Sequence, residues 1–146
     1  MSMEKLFWSV IFILCVSFSV KTEAQIASID SLEVELKSVK SDTARLRVYI
    51  DLIELYDKLA PSEKAMQRVL EGLELAKRTG NEFAQAQLLQ FRGQIYNELY
   101  RSDYDGALSF LAQSIQLHRK LLKANPDNFA QQREIVSVLN STGYIY

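Results

Sequence analysis

The tetrapeptide Gly93-Gln94-Ile95-Tyr96 recurs 50 residues later as Gly143-Tyr144-Ile145-Tyr146, at the last residue of the sequence. An internal repeat of this kind is typical of folds that stack copies of one small unit. The surrounding sequence consists of long stretches of good helix formers, which Gly80, Pro61 and Pro126 interrupt, and it lacks the alternating Val, Ile and Thr pattern of strands. The sequence therefore predicts an all-α fold. Because the second copy stands at the last residue, we expect a longer protein.

Residues 1–24 have the features of a secretion signal. Lys5 precedes an apolar run from Leu6 to Val20, and Thr22-Glu23-Ala24 supplies the small residues that signal peptidases require. The run is 15 residues long, shorter than the roughly 20 that a spanning helix needs. We expect cleavage after Ala24 and an exported protein, periplasmic or otherwise extracytoplasmic. Retention of the segment as a membrane anchor is the alternative.

Composition and charge exclude several functional classes. The 17 basic and 18 acidic residues are interspersed and give a net charge of −1, which argues against a nucleic-acid groove or a polybasic membrane patch. Cys15 is the only cysteine and His118 the only histidine, so a zinc site and a disulfide are both excluded after cleavage. We predict a structural role for His118, no catalysis, no metal and no cofactor.

The leading segment, residues 25–41, is predicted to contain a short helix from about Ile29 to Val39. Asp30 and Glu33 have the spacing of an acidic capping box, which would begin the helix at Asp30.

Further along the chain, polar residues and glycine predict where the helices begin and end. Gly80 is expected to end one helix in a left-handed conformation, and Asn81, Asp103 and Asn128 are expected to cap the next three. The last helix is predicted to continue as far as Tyr146. Connections of a few residues predict that neighbouring helices pack antiparallel.

Residues 42–146 resemble the tetratricopeptide repeat family. The best-matched unit, about 81–124, has a bulky residue, a glycine and a tyrosine in its first helix and small and bulky residues in its second: Leu89, Gly93, Tyr96, Ala107, Leu111 and Ser114. A degenerate unit, about 42–80, and a truncated unit, 127–146, share parts of this pattern: Tyr56, Ala65, Val69 and Gly72 in the former, and Leu139, Gly143 and Tyr146 in the latter.

The tyrosines of these units are 40 and 50 residues apart, which exceeds the usual period of roughly 34. The chain is therefore similar to a bacterial long-period subclass of the family. The resemblance implies a right-handed solenoid of antiparallel helix pairs, with the leading helix as an N-terminal cap.

The resemblance also implies a binding face, because the first helix of each pair lines a concave groove in this family. The residues that it would place there are Arg47, Asp51, Glu54, Gln87, Gln90, Gln94, Asn97, Asn140 and Tyr144. Amide side chains can both donate and accept hydrogen bonds, which suits an extended peptide backbone. The expected partner is a protein or peptide. The carboxylates of Asp51, Glu54 and Asp57 are expected to form a solvated face with ion pairs to Arg47 and Lys58.

The expected function is a non-catalytic, peptide-binding scaffold. Bacterial proteins with a secretion signal and long-period repeats resemble the extracytoplasmic sensor regions of histidine kinases or transcriptional regulators. Two alternatives are a free periplasmic or secreted adaptor, and an accessory region of an enzyme whose catalytic domain is not in this sequence.

Overall fold

The computed structural model describes residues 25–59, 62–101 and 103–145, and all of its regular structure is helical. The expectations for residues 1–24 and for Tyr146 lie outside these ranges. Helix α1 covers residues 25–38, and the five helices that follow are α2 (Asp42–Leu59), α3 (Glu63–Arg78), α4 (Glu82–Leu99), α5 (Tyr104–Ala124) and α6 (Phe129–Gly143). The prediction of an all-α fold is confirmed.

The helices begin where a polar side chain can accept a hydrogen bond from a first-turn N–H group. Asn81, Asp103 and Asn128 cap α4, α5 and α6, as predicted, at N···O distances of 3.0, 3.0 and 3.2 Å. Ser62 caps α3 in the same way, although the sequence pattern did not single it out. Gly80 adopts a φ of 66° just after α3, and this left-handed conformation ends the helix as predicted.

Helix α1 differs from its prediction. It is already helical at residue 25, so Asp30 lies inside the helix and the predicted capping box is wrong. Glu33 instead accepts hydrogen bonds from Arg68 of α3, at 2.7 and 3.1 Å, and from the Tyr56 hydroxyl of α2, at 3.0 Å. Arg68 and Tyr56, which are distant in sequence, thus bind the carboxylate that the local sequence pattern assigned to a helix cap.

Helix α6 ends earlier than predicted. The last helical residue is Gly143, and Ile145 donates a backbone hydrogen bond to Thr142, three residues back, which tightens the chain into a turn. The expectation that the helix continues past Gly143 is therefore wrong.

Consecutive helices from α2 onward pack against one another, and two further contacts join α2 to α4 and α4 to α6. Helices α4 and α5 run antiparallel: Phe83 near the start of α4 meets His118 near the end of α5, and Tyr96 near the end of α4 meets Phe110. As a result, α2, α4 and α6 form one layer and α3 and α5 form the other.

Helices α4 and α6 run parallel. Gln90 donates a hydrogen bond to the Ser137 hydroxyl, at 2.9 Å, and Gln94 donates one to the Ser141 hydroxyl, at 2.8 Å. Both pairs are 47 residues apart in sequence, so the two helices advance together in the same direction.

Gly93 marks the closest approach between α4 and α5. A Cβ atom at this position would lie 2.7 Å from Leu111 side-chain atoms and 3.1 Å from the Ala107 carbonyl oxygen. Both partners are completely buried. Only a residue without a side chain allows α4 to pack this closely on α5.

Candidate functional site

A polar groove runs along α4 between α2 and α6. Its larger part is a cavity of about 620 Å³ between the C-terminal ends of the three helices, lined by Asp57, Gln94, Asn97, Glu98, Ser137, Asn140, Ser141, Tyr144 and Ile145. The smaller part, about 270 Å³, lies nearer the start of α4 and is lined by Glu54, Asp57, Lys58, Gln87, Gln90, Phe91, Gln94, Glu134 and Ser137. The two cavities share three lining residues, so we describe them together as the α4 groove.

A third cavity, about 580 Å³, lies between α1 and α2 and shares Glu54 and Lys58 with the α4 groove. Asp51 also lines it. The volumes of the two larger cavities fall within the range of roughly 300–1,000 Å³ that is usual for ligand sites.

Eight of the nine residues predicted for the binding face line these cavities. Six of them belong to the α4 groove alone, namely Gln87, Gln90, Gln94, Asn97, Asn140 and Tyr144. Asp51 and Glu54 line the neighbouring cavity, and Glu54 also lines the groove. Arg47 is exposed on α2 and lines none of the three.

Two amide side chains of α4, those of Gln90 and Gln94, form hydrogen bonds within the protein. Gln90 is almost fully buried, and its NH₂ group bonds to Ser137 of α6. The Ser141 hydroxyl donates to the Ser137 carbonyl oxygen at 3.1 Å, so it can only accept the hydrogen bond from Gln94. This arrangement fixes the orientation of the Gln94 amide, whose oxygen remains directed away from Ser141.

Two oxygen atoms of the groove have no hydrogen-bond partner within the described part of the chain. They are Oε1 of Gln94 and Oδ1 of Asn97, and both atoms are buried. Native proteins rarely leave buried polar atoms unpaired, because each one costs about 1–3 kcal/mol. Each of these two oxygens can therefore still accept a hydrogen bond.

The groove and the neighbouring cavity are lined by an excess of negative charge. Five carboxylates contribute, Asp51, Glu54, Asp57, Glu98 and Glu134, and among the described lining residues Lys58 is the one cation. The predicted ion pairs of Asp51, Glu54 and Asp57 with Arg47 and Lys58 are absent from residues 25–59, 62–101 and 103–145. That expectation was wrong, because these carboxylates line the open cavities instead.

Asp57 and Glu98 form the acidic end of the groove. Partial burial raises the pKa of Asp57 above its usual value, and the negative charge of Glu98 raises it further, although Lys58 acts in the opposite sense. Glu98 has one exposed ion pair, to Arg101 at 3.4 Å. A further cation between the two carboxylates would reduce the repulsion between them.

The sequence pattern did not reveal Glu98, Ser137 and Ser141 as groove residues. The two serines stand four residues apart on α6, which places them on one helix face, and this spacing was the available signal. Their partners lie 47 residues away on α4, so only the packing of α6 on α4 reveals their role.

His118 is completely buried between α4 and α6, away from the groove. Its Nδ1 lies 2.8 Å from Oε1 of Gln131, and because an amide oxygen only accepts, Nδ1 carries the proton. Its Nε2 has no partner among the described residues. In the same part of the chain, no cluster of three or more His, Cys, Asp or Glu side chains could hold a metal ion. Likewise, none of the described helices is long and apolar enough to span a membrane.

Comparison of the chain with protein-family models, with curated proteins and with solved structures gives no match. A function must therefore be inferred from the geometry and chemistry of the α4 groove.

Proposed function

We propose that this chain is a non-catalytic scaffold of stacked helix pairs, of the tetratricopeptide type, whose α4 groove binds an extended segment of a protein partner. The observation that carries the proposal is the groove itself. It is open, it runs between three helices of one layer, and amides, hydroxyls and carboxylates line it. Side chains of this kind can bond the N–H and C=O groups of an extended backbone.

The packing of the best-matched repeat unit supports a solenoid. The unit brings Gly93 against Leu111, and its buried Ser114 donates a hydrogen bond of 2.7 Å to the Ala86 carbonyl oxygen of α4. Small residues at such positions allow paired helices to approach closely, as stacked helical repeats require. The right-handed superhelix remains part of this proposal.

Peptide binding can be tested with two residues of the groove that do not support the fold. Asn140 is exposed and Tyr144 is 89% exposed. We expect the double variant Asn140→Ala/Tyr144→Ala to select fewer binders from a displayed library of random twelve-residue peptides, and to bind the selected peptides about tenfold more weakly by fluorescence anisotropy.

The matched control is Gln116→Ala/Tyr104→Ala, which removes an amide and a tyrosine that are exposed on α5. It should bind the selected peptides as the unchanged chain does. If the library yields no binders, or if both double variants bind equally well, the proposed function is wrong.

We also propose that this scaffold is exported and belongs to a signalling protein. The composition of residues 1–24 supports export, and an extracytoplasmic groove of this kind suits the sensor region of a signalling protein. The 146-residue chain can be expressed and its intact mass measured after recovery from the periplasm. Removal of residues 1–24 is expected, and a mass of 16.7 kDa, that of all 146 residues, would contradict it.

A further inference from the structure

We infer that the segment bound in the α4 groove is basic, with lysine or arginine side chains that reach the carboxylates of Asp57 and Glu98. This inference rests on the proposed function, because it names the chemistry of the partner at the same groove. Two independent features of the groove lead to it: its charge and its unpaired hydrogen-bonding atoms.

The first feature is charge. The chain as a whole is nearly neutral, with a net charge of −1, yet the cavities along α2 and α4 gather five carboxylates and one lysine among their described lining residues. A groove lined by one sign of charge concentrates field lines and attracts ligands of the opposite sign. The excess of negative charge is thus a local property of the α4 groove and the neighbouring cavity.

The charge is greatest in the larger cavity. Asp57 and Glu98 line it from two different helices, and no Lys or Arg is among its described lining residues. The elevated pKa of Asp57 reflects both partial burial and the proximity of Glu98. A cation between the two carboxylates would relieve this repulsion and would gain attraction from both.

The second feature is the set of unpaired atoms. Gln94 uses its NH₂ group on Ser141, which leaves its oxygen without a donor in the described part of the chain, and the Asn97 side-chain oxygen also lacks one there. Ammonium and guanidinium groups have three and five N–H donors, respectively, and no acceptor. The terminal amide of Asn97 turns easily about its last torsion, so its oxygen can meet such a donor in the cavity.

An acidic segment would find the opposite conditions. Its carboxylates would face Asp57 and Glu98, and the like charges would repel each other. A neutral segment could form hydrogen bonds but would gain no attraction between opposite charges. The groove should therefore prefer basic segments over neutral ones, and neutral ones over acidic ones.

The test uses the full 146-residue chain and three fluorescein-labelled ten-residue peptides, in which alanine alternates with lysine, glutamine or glutamate. We expect the lysine peptide to bind about tenfold more tightly than the glutamine peptide, with the glutamate peptide the weakest. Added salt should reduce the difference, because it screens the charges.

The decisive variant is Asp57→Asn/Glu98→Gln, which should lower the affinity of the lysine peptide about tenfold, to that of the glutamine peptide. Its matched control is Glu35→Gln/Asp127→Asn, which makes the same change in net charge at two exposed carboxylates outside the cavities. The control should change the affinity by less than about twofold.

Each contrary outcome has a distinct meaning. Equal binding of the lysine and glutamine peptides, with both weakened by Asn140→Ala/Tyr144→Ala, would overturn the preference for basic segments and leave the peptide-binding function standing. Equal losses in the two charge variants would also overturn the preference, because net charge alone would then explain it. Spermine binding more tightly than the lysine peptide would overturn a polypeptide as the occupant. Failure of all three peptides to bind would overturn the preference for basic segments, and it would overturn the peptide-binding function as well if the random library also yields no binders.

Discussion

Helices α1 to α4 and helix α6 are held in place by different kinds of contact. Residues from α1 to α4 share one apolar core, in which Leu52, Ile53, Leu88 and Ile95 have no exposed surface. Among its described residues, helix α6 buries a single apolar side chain, Val138, and otherwise contributes the buried Gln131. Three hydrogen bonds between side chains connect α6 to α4 and α5, namely Gln90 to Ser137, Gln94 to Ser141 and the contact between His118 and Gln131.

This difference matters for the groove. One of its walls, α6, rests mainly on hydrogen bonds, each worth about 1 kcal/mol net, whereas apolar burial stabilises α1 to α4. Helix α6 should therefore open locally at a lower free energy than α2, α3 or α4.

The largest effect is expected at the repeated glycines. Gly93→Leu would drive a side chain into Leu111 and the Ala107 carbonyl and should reduce the free energy of unfolding by about 3 kcal/mol. A Cβ atom at Gly143 would meet no described atom within 4 Å, so Gly143→Leu should change this free energy by less than about 0.5 kcal/mol. Urea denaturation of both variants measures the difference. Equal effects would mean that α4 and α6 have the same packing.

The next effect concerns the attachment of α1. Glu33 and Arg68 are only 13% and 20% exposed, so Arg68→Met should destabilise the protein by roughly 2 kcal/mol by leaving the Glu33 carboxylate without its main partner. The exposed pair of Arg78 and Asp42 provides the control, and Arg78→Met should change the free energy of unfolding by less than about 0.5 kcal/mol. Urea denaturation of the two variants side by side gives both values, and similar losses would contradict the role of the Glu33 pair.

The same pair predicts a pH dependence. Burial alone would raise the pKa of Glu33, but the hydrogen bonds from Arg68 and Tyr56 and the nearby positive charges lower it below its usual value. The stabilisation is therefore fully present above the ordinary glutamate pKa and is lost as the pH falls through the lowered one. Thermal melts of the unchanged chain should show this acid loss, and Arg68→Met should lack most of it.

A smaller effect is expected at the buried contact between α5 and α6. Gln131→Ala removes the partner of the His118 Nδ1 atom and should destabilise the protein by about 1.5 kcal/mol. The neighbouring exposed Gln132→Ala should have little effect. Hydrogen exchange would show which helices lose stability in Gln131→Ala. We expect faster exchange in α6 but not in α2 or α3. Equally faster exchange in all helices would contradict the contrast between the two regions.

The smallest effect has the opposite sign. The raised pKa of Asp57 means that its ionised form destabilises the folded state at neutral pH, a penalty that disappears as the pH falls through that pKa. Asp57→Asn should therefore raise the melting temperature slightly at pH 7, while weakening the binding of a lysine peptide. A lower melting temperature would show that Asp57 stabilises the fold instead of serving the groove.

Local signals in the sequence predicted the helices well. Asn81, Asp103 and Asn128 each supply the cap that their side chains predict, and Gly80 adopts the left-handed conformation that ends α3. Glu33 did not follow its local pattern, because a partner 35 residues away binds it. Local chemistry decides where a helix begins, but a long-range partner can redirect the same side chain.

The groove could be predicted only in part. Gln94 and Asn97 were assigned to the binding face, but the bond from Gln94 to Ser141 depends on how α6 packs on α4. Asp57 and Glu98 likewise line the same cavity only because α2 and α4 are adjacent in the fold. The sequence indicated which helix faces are polar, whereas the sign of the charge in the groove required the fold.

The most direct test of the basic-peptide groove is carbodiimide cross-linking of the lysine peptide to the full chain, followed by mass spectrometry. This reagent joins a lysine amine to a carboxylate only where the two are in contact. We predict cross-links at Asp57 and Glu98, which line the larger cavity of the groove. Cross-links spread evenly over exposed carboxylates outside it, such as Glu35, Asp105 and Asp127, would contradict the proposed binding site.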